Sequence, residues 1–399
     1  MQQLINKIQS LAKQYHSEII ENRRHLHAHP ELSFEEFKTS EYIVSKLKKY
    51  NIPFTTGFVK TGVVALIEGE NPTKKTIALR ADIDALPIFE TNEVSYKSTN
   101  QGVMHACGHD VHTSSLLGAA RILNELKNEF EGTVKLMFQP GEEKLPGGAS
   151  LMIQEGVLEN PHVNNIFGQH VYPSMQVGKV GFRKGMYMAS TDEIYLTVKG
   201  KGGHAAMVKE YNNPLFIASA ILLGLNKSFM LEPENEIPTV LAFGKIIGNG
   251  ATNVIPDEVK IEGTFRTMNE TWRVQAHKKM TAIAKIIAKQ MKGECVFHIE
   301  NGYPFLINDE PFTARAIEAA VDYLGKENVE ELPMRMTAED FAFFTQQRPS
   351  CFYRLGTGNP AKGINSGIHT SNFDIDEQAL QVGAGLMAWL AVNELGSKI

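Results

Sequence analysis

Thr133-Val134-Lys135-Leu136-Met137-Phe138, followed by Gln139-Pro140-Gly141 and then Glu142-Glu143, reads as a mostly apolar strand that ends in a turn and delivers two carboxylates. Carboxylates placed where a buried strand ends lie at the usual binding crevice of an open α/β sheet. The neighbouring sequence repeats the pattern. Apolar runs at 62–67 and 76–81 alternate with helical patterns that end near His27 and that cover 40–50 and 113–126. Such alternation implies an α/β fold, a mainly parallel sheet covered on both faces. The run at 76–79 leads to Asp82 and Asp84, and the run at 165–168 leads to His170.

From about Met188 the order changes. Strand patterns at 193–199, 239–247, 258–267 and 295–300 are interleaved with helical patterns at 214–225 and 274–291. This β-α-β-β-α-β order is a ferredoxin-like unit of the kind inserted into another domain. Helix and strand then alternate again, with a helix at 311–324, a strand at 350–355 and a closing helix at 377–395. The expected organisation is a catalytic domain in two parts, 1–187 and 301–399, split by a lid and dimerisation domain at 188–300.

With 399 residues the chain has room for two or three domains, and 43% hydrophobic with 21% charged residues is ordinary for a globular protein. A net charge of -5 without any basic run argues against a nucleic-acid partner. Three cysteines without paired spacing fit a reduced compartment. The N-terminal helical pattern lacks the continuous apolar core of a signal peptide, and no other stretch reads as long enough to span a bilayer. The expectation is a cytoplasmic protein without a membrane partner.

Cys107-Gly108-His109-Asp110-Val111-His112 adds soft ligands to the two carboxylates. On an extended backbone residues i and i+2 point to one side, so Cys107 and His109 can share a metal centre. Adjacent Glu142 and Glu143 should diverge on an extended segment, leaving one to bind metal and the other to move a proton. A lone Cys is more often a small buried apolar residue, and a Glu pair more often a solvated surface. The strand in front of the pair shifts that balance.

Further motifs occur in one order along nearly the whole chain. They are Arg24-His25-Leu26-His27-Ala28-His29-Pro30-Glu31-Leu32, Arg80-Ala81-Asp82-Ile83-Asp84-Ala85-Leu86-Pro87, Gly202-Gly203-His204-Ala205-Ala206, Asn253-Val254-Ile255-Pro256, Ala338-Glu339-Asp340-Phe341 and the segment around His369. In these the chain resembles the aminoacylase, hippurate hydrolase and auxin-conjugate amidohydrolase family of di-metal peptidases. The resemblance implies a phosphorylase/hydrolase-like catalytic domain, a mixed sheet between helices, with the ferredoxin-like unit as its lid. It also implies Cys107, His109, Glu143, His170 and His369 as ligands of two divalent metal ions per subunit, with Cys107 bridging them. The thiolate favours zinc, and manganese, cobalt or nickel are compatible. Glu142 is implied as the general base that takes a proton from the attacking water and returns it to the leaving amine.

Other roles stay open at the level of sequence. Asp82 and Asp84 read as further ligands or, as we expect, as hydrogen-bonded support behind His109. His112 lies one turn beyond His109 and could ligate, although the family pattern gives it no metal. By the same resemblance His204, in a glycine-rich turn of the lid, is an oxyanion donor acting in its own subunit or across an interface. Asn253 and Arg266 are candidates for the substrate carboxylate, against plainer readings as a strand-end turn and a surface charge. Val208 and Lys209 stand where relatives often carry Pro and His, and Ser371 where they often carry Pro, departures that leave the ligand set untouched and bear on lid contacts and substrate preference. The implied activity is hydrolysis of a small N-acyl amino acid or dipeptide amide by a homodimer or homotetramer. Three alternatives remain: a di-/aminopeptidase or carboxypeptidase acting on small peptides, Cys107 as a nucleophile with His109 or His112 as base, and a non-catalytic metal-binding protein, against which Glu142 speaks.

Overall fold

Thr133–Gln139 forms a strand buried along its whole length, as does Thr76–Asp82. The computed structural model describes residues 1–396. In chain order its main elements are α1 (Gln2–Ala28), α2 (Phe37–Lys49), β1 (Phe54–Phe58), β2 (Gly62–Glu68), β3 (Thr76–Asp82), α3 (His109–Glu125), β4 (Thr133–Gln139), α4 (Gly148–Gln154), β5 (Asn165–Gln176) and β6 (Val180–Phe182). There follow β7 (Gly185–Met188), β8 (Asp192–Lys199), β9 (Gly203–His204), α5 (Pro214–Asn226), β10 (Thr239–Ile247), β11 (Val254–Ile255), β12 (Glu258–Thr267), α6 (Glu270–Gln290) and β13 (Glu294–Asn301). The chain closes with β14 (Leu306–Asn308), α7 (Glu310–Leu324), β15 (Val329–Glu331), α8 (Ala342–Thr345), β16 (Ser350–Gly358) and α9 (Gln378–Leu395).

Two units divide the chain. The first takes Met1–Gly185, Ile307–Pro333 and the chain from Asp340 onward, and the second takes Met186–Leu306 and Met334–Glu339. The sequence pattern had left Met334–Glu339 with the last part of the catalytic domain. Backbone pairing draws it to the second unit: Met188 bridges Arg335, Ala189 N–H donates toward the carbonyls of Arg335 and Thr337, and Arg266 Nη1 donates to the Met336 carbonyl at 3.1 Å.

The first unit is built on an eight-stranded mixed sheet in the order β1-β2-β4-β3-β5-β16-β6-β15. Its centre is parallel, with β4, β3, β5 and β16 running the same way. Strands β2 and β6 pair antiparallel with the two sides of that centre, and β1 pairs antiparallel with β2. Strands without a polar face need cover on both sides, and helices supply it. Helices α1, α3 and α9 pack on one another, and α3 and α9 also pack on the central strands. Helix α9 is apolar almost all round and correspondingly buried from Ala379 to Leu395, which suits a helix held between other elements.

The second unit has its own core. Strands β8, β10, β12 and β13 form an antiparallel sheet in the order β10-β12-β8-β13, with α5 and α6 packed on it and on each other. Alternation along β8 puts Ile194, Leu196 and Val198 into this core. Pro214 opens α5 behind the cap of Asn213, and Asn269 caps α6 by accepting from Trp272 N–H. One expectation needs correction here. The helical run Pro214–Leu231, 18 residues with a mean hydropathy of 1.6, is long and apolar enough to cross a membrane by length and composition. Its Ile217, Ala218, Ile221, Leu225 and Phe229 instead belong to the core of the second unit.

Candidate metal centre

Because β3, β4 and β5 are parallel, the carboxyl ends of β3 and β4 open on one edge of the sheet, and β5, expected to stop near Gly168, passes that edge at His170 and runs on to Gln176. Register sets Asp82 opposite Gln139 and Arg80 opposite Gly168, which brings His170 to the level of Asp82. Cys107 and His109 reach this edge by a route other than the expected extended strand. Gly108 adopts a left-handed φ of 82°, and His109 is the first residue of α3. A loop-to-helix corner therefore aims both side chains, and a Cβ at 108 would also run into Val171. Glu142 and Glu143 likewise lie in a turn. Instead of diverging, each places a carboxylate oxygen within 4.8 Å of the other and of a His109 ring nitrogen. His369 arrives from the loop before α9, with its N–H donating to the Ala106 carbonyl at 2.7 Å. Its φ of 61° is left-handed, a conformation that costs a non-glycine residue ~1 kcal/mol and persists where the surroundings over-determine it.

Cys107 Sγ lies 3.4 Å from His170 Nε2 and 3.3 Å from His369 Nε2. Two groups of ligand atoms result, Cys107 with His109 and His170, and Cys107 with Glu143 and His369, each within 4.8 Å. The thiol belongs to both, which is the arrangement a shared ligand requires. His109 Nε2 and Glu143 Oε1 stand 4.0 Å apart, both buried and neither hydrogen-bonded. His369 Nε2 approaches that carboxylate oxygen to 3.2 Å without hydrogen-bond geometry. Buried polar atoms left unpaired cost ~1–3 kcal/mol each, and aimed into one cluster they fit cation ligands.

The orientation of each imidazole has a visible cause. His109 Nδ1 donates to Asp84 Oδ1 at 3.1 Å, which turns Nε2 toward the cluster. Asp84 Oδ2 accepts from Ser33 Oγ at 2.6 Å and from Glu143 N–H at 3.0 Å, so one carboxylate positions two of the ligand candidates. His170 Nδ1 donates to the Val171 carbonyl at 2.8 Å, leaving Nε2 facing Cys107. His112 has no nitrogen to spare: Nδ1 donates to Asp82 Oδ1 at 2.5 Å, and Nε2 accepts from Val171 N–H at 2.9 Å. It braces the site, and Asp82, also held by Arg80 Nη1 at 2.6 Å, braces His112 in turn.

Charge in the site favours a cation. Burial works against a protonated His109, yet Asp82, Asp84 and Glu143 outweigh it and raise its pKa to about 10. Burial, with Arg354 and His112 next, holds His170 well below the ordinary range and so neutral. Burial and then Glu143, Glu142 and Asp82 push the Cys107 thiol well up. A cation among these carboxylates would displace the His109 proton and stabilise the thiolate.

A residue given no role in the sequence holds Glu142. Asp340 N–H lies 3.4 Å from Glu142 Oε1, and its own carboxylate accepts from Arg80 Nη2 at 2.7 Å, Gln139 Nε2 at 2.8 Å and Ala149 N–H at 2.9 Å. Asp340 stood in the 338–341 motif, but nothing local tied it to a residue 198 positions away.

The remaining candidates belong to the second unit. His204 on β9 pairs with Val254 on β11, and Ala205 N–H donates to the Asn253 carbonyl at 3.0 Å. Ala206 N–H approaches His204 Nδ1 at 3.2 Å, which leaves the ring proton on Nε2 of an exposed side chain. Arg266 lies on β12 beside a groove lined by Glu193, Tyr195, Lys245 and Glu262.

A thiol, imidazoles and paired carboxylates converging at the strand ends of an α/β sheet define the class, a hydrolase with a metal centre. Peptidase family M20/M25/M40 matches residues 78–393, and the chain belongs to that family. It is 37% identical over 383 residues to an N-acetylcysteine deacetylase of Bacillus subtilis (strain 168), covering 95% of this chain and 97% of that protein. It is 36% identical over 393 residues to a thermostable carboxypeptidase of Saccharolobus solfataricus, covering 98% of each. The crystal structure of a dinuclear metal binding M20 peptidase from Bacillus subtilis superposes with a TM-score of 0.81 at 35% identity, covering 96% of this chain and 99% of that one.

Proposed function

We propose that the protein is a two-metal amidohydrolase that cleaves the amide bond of N-acyl amino acids, with Glu142 as general base. The observation that carries the reading is the shared position of Cys107 in two ligand groups, beside a carboxylate that neither group includes. Cys107, His109, Glu143, His170 and His369 would hold the ions. Divalent ions bound there would supply Lewis-acid polarisation of the amide carbonyl and a more acidic water. Glu142, near His109 and Glu143, would take the water proton on its carboxylate and deliver it to the leaving nitrogen. Asp84 would keep His109 in one tautomer and orientation throughout. His204 would donate Nε2–H to the developing oxyanion, and Asn253 and Arg266 would serve the substrate carboxylate.

A Cys107 nucleophile fits less well. A reactive thiol needs a lowered pKa, and burial with three carboxylates raises this one. Cleavage of dipeptides or peptide carboxyl termini stays as the second reading, favoured by the relative named a carboxypeptidase. A hydrolysis screen of metal-reconstituted protein against acetyl, benzoyl and indole-acetyl amino acids and short dipeptides separates them. Turnover of the acyl amino acids above the dipeptides is expected, and the reverse order would assign a peptidase.

A further inference from the structure

Glu36 is a fully buried carboxylate outside the ligand set, and it faces the back of the turn that carries Glu142 and Glu143. Its Oε1 accepts from Gly141 N–H at 2.8 Å and from Phe34 N–H at 2.8 Å, and its Oε2 accepts from Thr61 Oγ1 at 2.7 Å. The same short segment grips the site at two further points. The Phe34 ring lies where any Cβ at Gly141 would stand, and Gly141 has a left-handed φ of 62°. Ser33 Oγ donates to Asp84, the carboxylate that orients His109 and accepts Glu143 N–H. Residues 33–36 therefore brace the turn and the residue behind His109 together.

We infer that Glu36 is a positioning residue for the general base, fixing through Gly141 N–H the turn from which Glu142 and Glu143 project. This rests on Glu142 acting as base. The geometry makes the dependence specific. Asp340 holds the Glu142 carboxylate from one side, while Glu36 holds the backbone one residue before it. A buried carboxyl suits that place because one of its oxygens can accept two N–H groups while the other bonds a hydroxyl. Displacement of a catalytic group by about 1 Å from a remote change is enough to cost about 10²-fold.

The test uses metal-loaded Glu36→Leu, Glu36→Gln and Thr61→Val, with Glu142→Gln in parallel, on whichever acetyl, benzoyl or indole-acetyl amino acid the wild type cleaves fastest. Glu36→Leu should lower kcat by about tenfold or more with little change in KM. Glu36→Gln keeps an acceptor for Gly141 N–H, can donate to Thr61, and should restore most of kcat. In the Glu142→Gln background Glu36→Leu should add a smaller loss than in the wild type, because the general base it positions is already disabled. Amide exchange read on the peptide 139–148 should be faster in Glu36→Leu whatever the activity, and Thr61→Val should show a smaller rise should the leucine variant fail to fold. Wild-type kcat in folded Glu36→Leu, or unchanged exchange of that peptide in both Glu36→Leu and Thr61→Val, would overturn the inference. Wild-type kcat in Glu142→Gln would instead sink the general-base reading and leave the exchange result to judge the brace alone.

Discussion

Replacing Glu36 by Gln should change how stability depends on pH, and the size follows from the surroundings of the carboxyl. Burial, and after it the charge of Asp84, raise its pKa from 4.5 to about 7, while the hydrogen bonds from Thr61 and from backbone N–H groups pull the other way without prevailing. A rise of that size is about 3 kcal/mol at about 1.4 kcal/mol per pH unit. The sign follows from linkage. A carboxyl whose folded pKa lies above its unfolded value contributes stability that is fully present below pH 4.5 and is lost as pH rises through about 7. Between pH 5 and pH 8.5 the wild type should therefore lose about 2.5 kcal/mol relative to Glu36→Gln, which has nothing to titrate there. Urea unfolding of both proteins at the two pH values, at one fixed free metal concentration, reads this directly, because metal linkage common to both cancels in the difference. A gap between the two proteins that stays constant from pH 5 to 8.5 would refute the placement of a buried acid beside Asp84.

Three further outcomes are expected. Glu142→Gln should retain metal and substrate binding and lose ~10² to 10⁴ in turnover, checked by metal analysis beside steady-state kinetics. Cys107→Ala should lower the stoichiometry or affinity of bound metal, since the thiol belongs to both ligand groups, and equilibrium dialysis against zinc would measure it. His204→Ala should keep its full metal content and lose ~10² or more in turnover if its Nε2–H serves the oxyanion. Unchanged turnover would leave that histidine a merely structural member of the β9 and β11 ribbon.

What could be seen in the sequence was what local pattern controls. Apolar runs leading to Asp82 and Glu142 mark strand ends because side-chain burial and strand termination are both short-range, whereas the run leading to His170 does not end there, since pairing with β16 carries β5 on to Gln176. Backbone shape at the same residues was less legible. Gly108 permits either an extended or a left-handed path, and the left-handed one that opens α3 at His109, with Val171 where a Cβ would stand, is set by tertiary packing. The role of His112 depended on where Asp82 and Val171 N–H lie in three dimensions, and both its nitrogens are used there. Glu36 and Asp340 reach the Glu142 turn from 105 and 198 residues away, a separation that no periodicity reports. Met334–Glu339 changed sides for a similar reason, since backbone bridges to β7 and hydrogen bonds to the residues after it are made by tertiary pairing.

The central claim, hydrolysis at a two-ion centre, is tested most directly by titrating chelator-stripped protein with zinc, manganese, cobalt or nickel while following cleavage of its best N-acyl amino acid. Turnover should be absent at the start, rise with added metal and level off at two ions per chain. Full turnover by the stripped protein, or a trappable acyl-thioester on Cys107 in the unmodified enzyme, would contradict it.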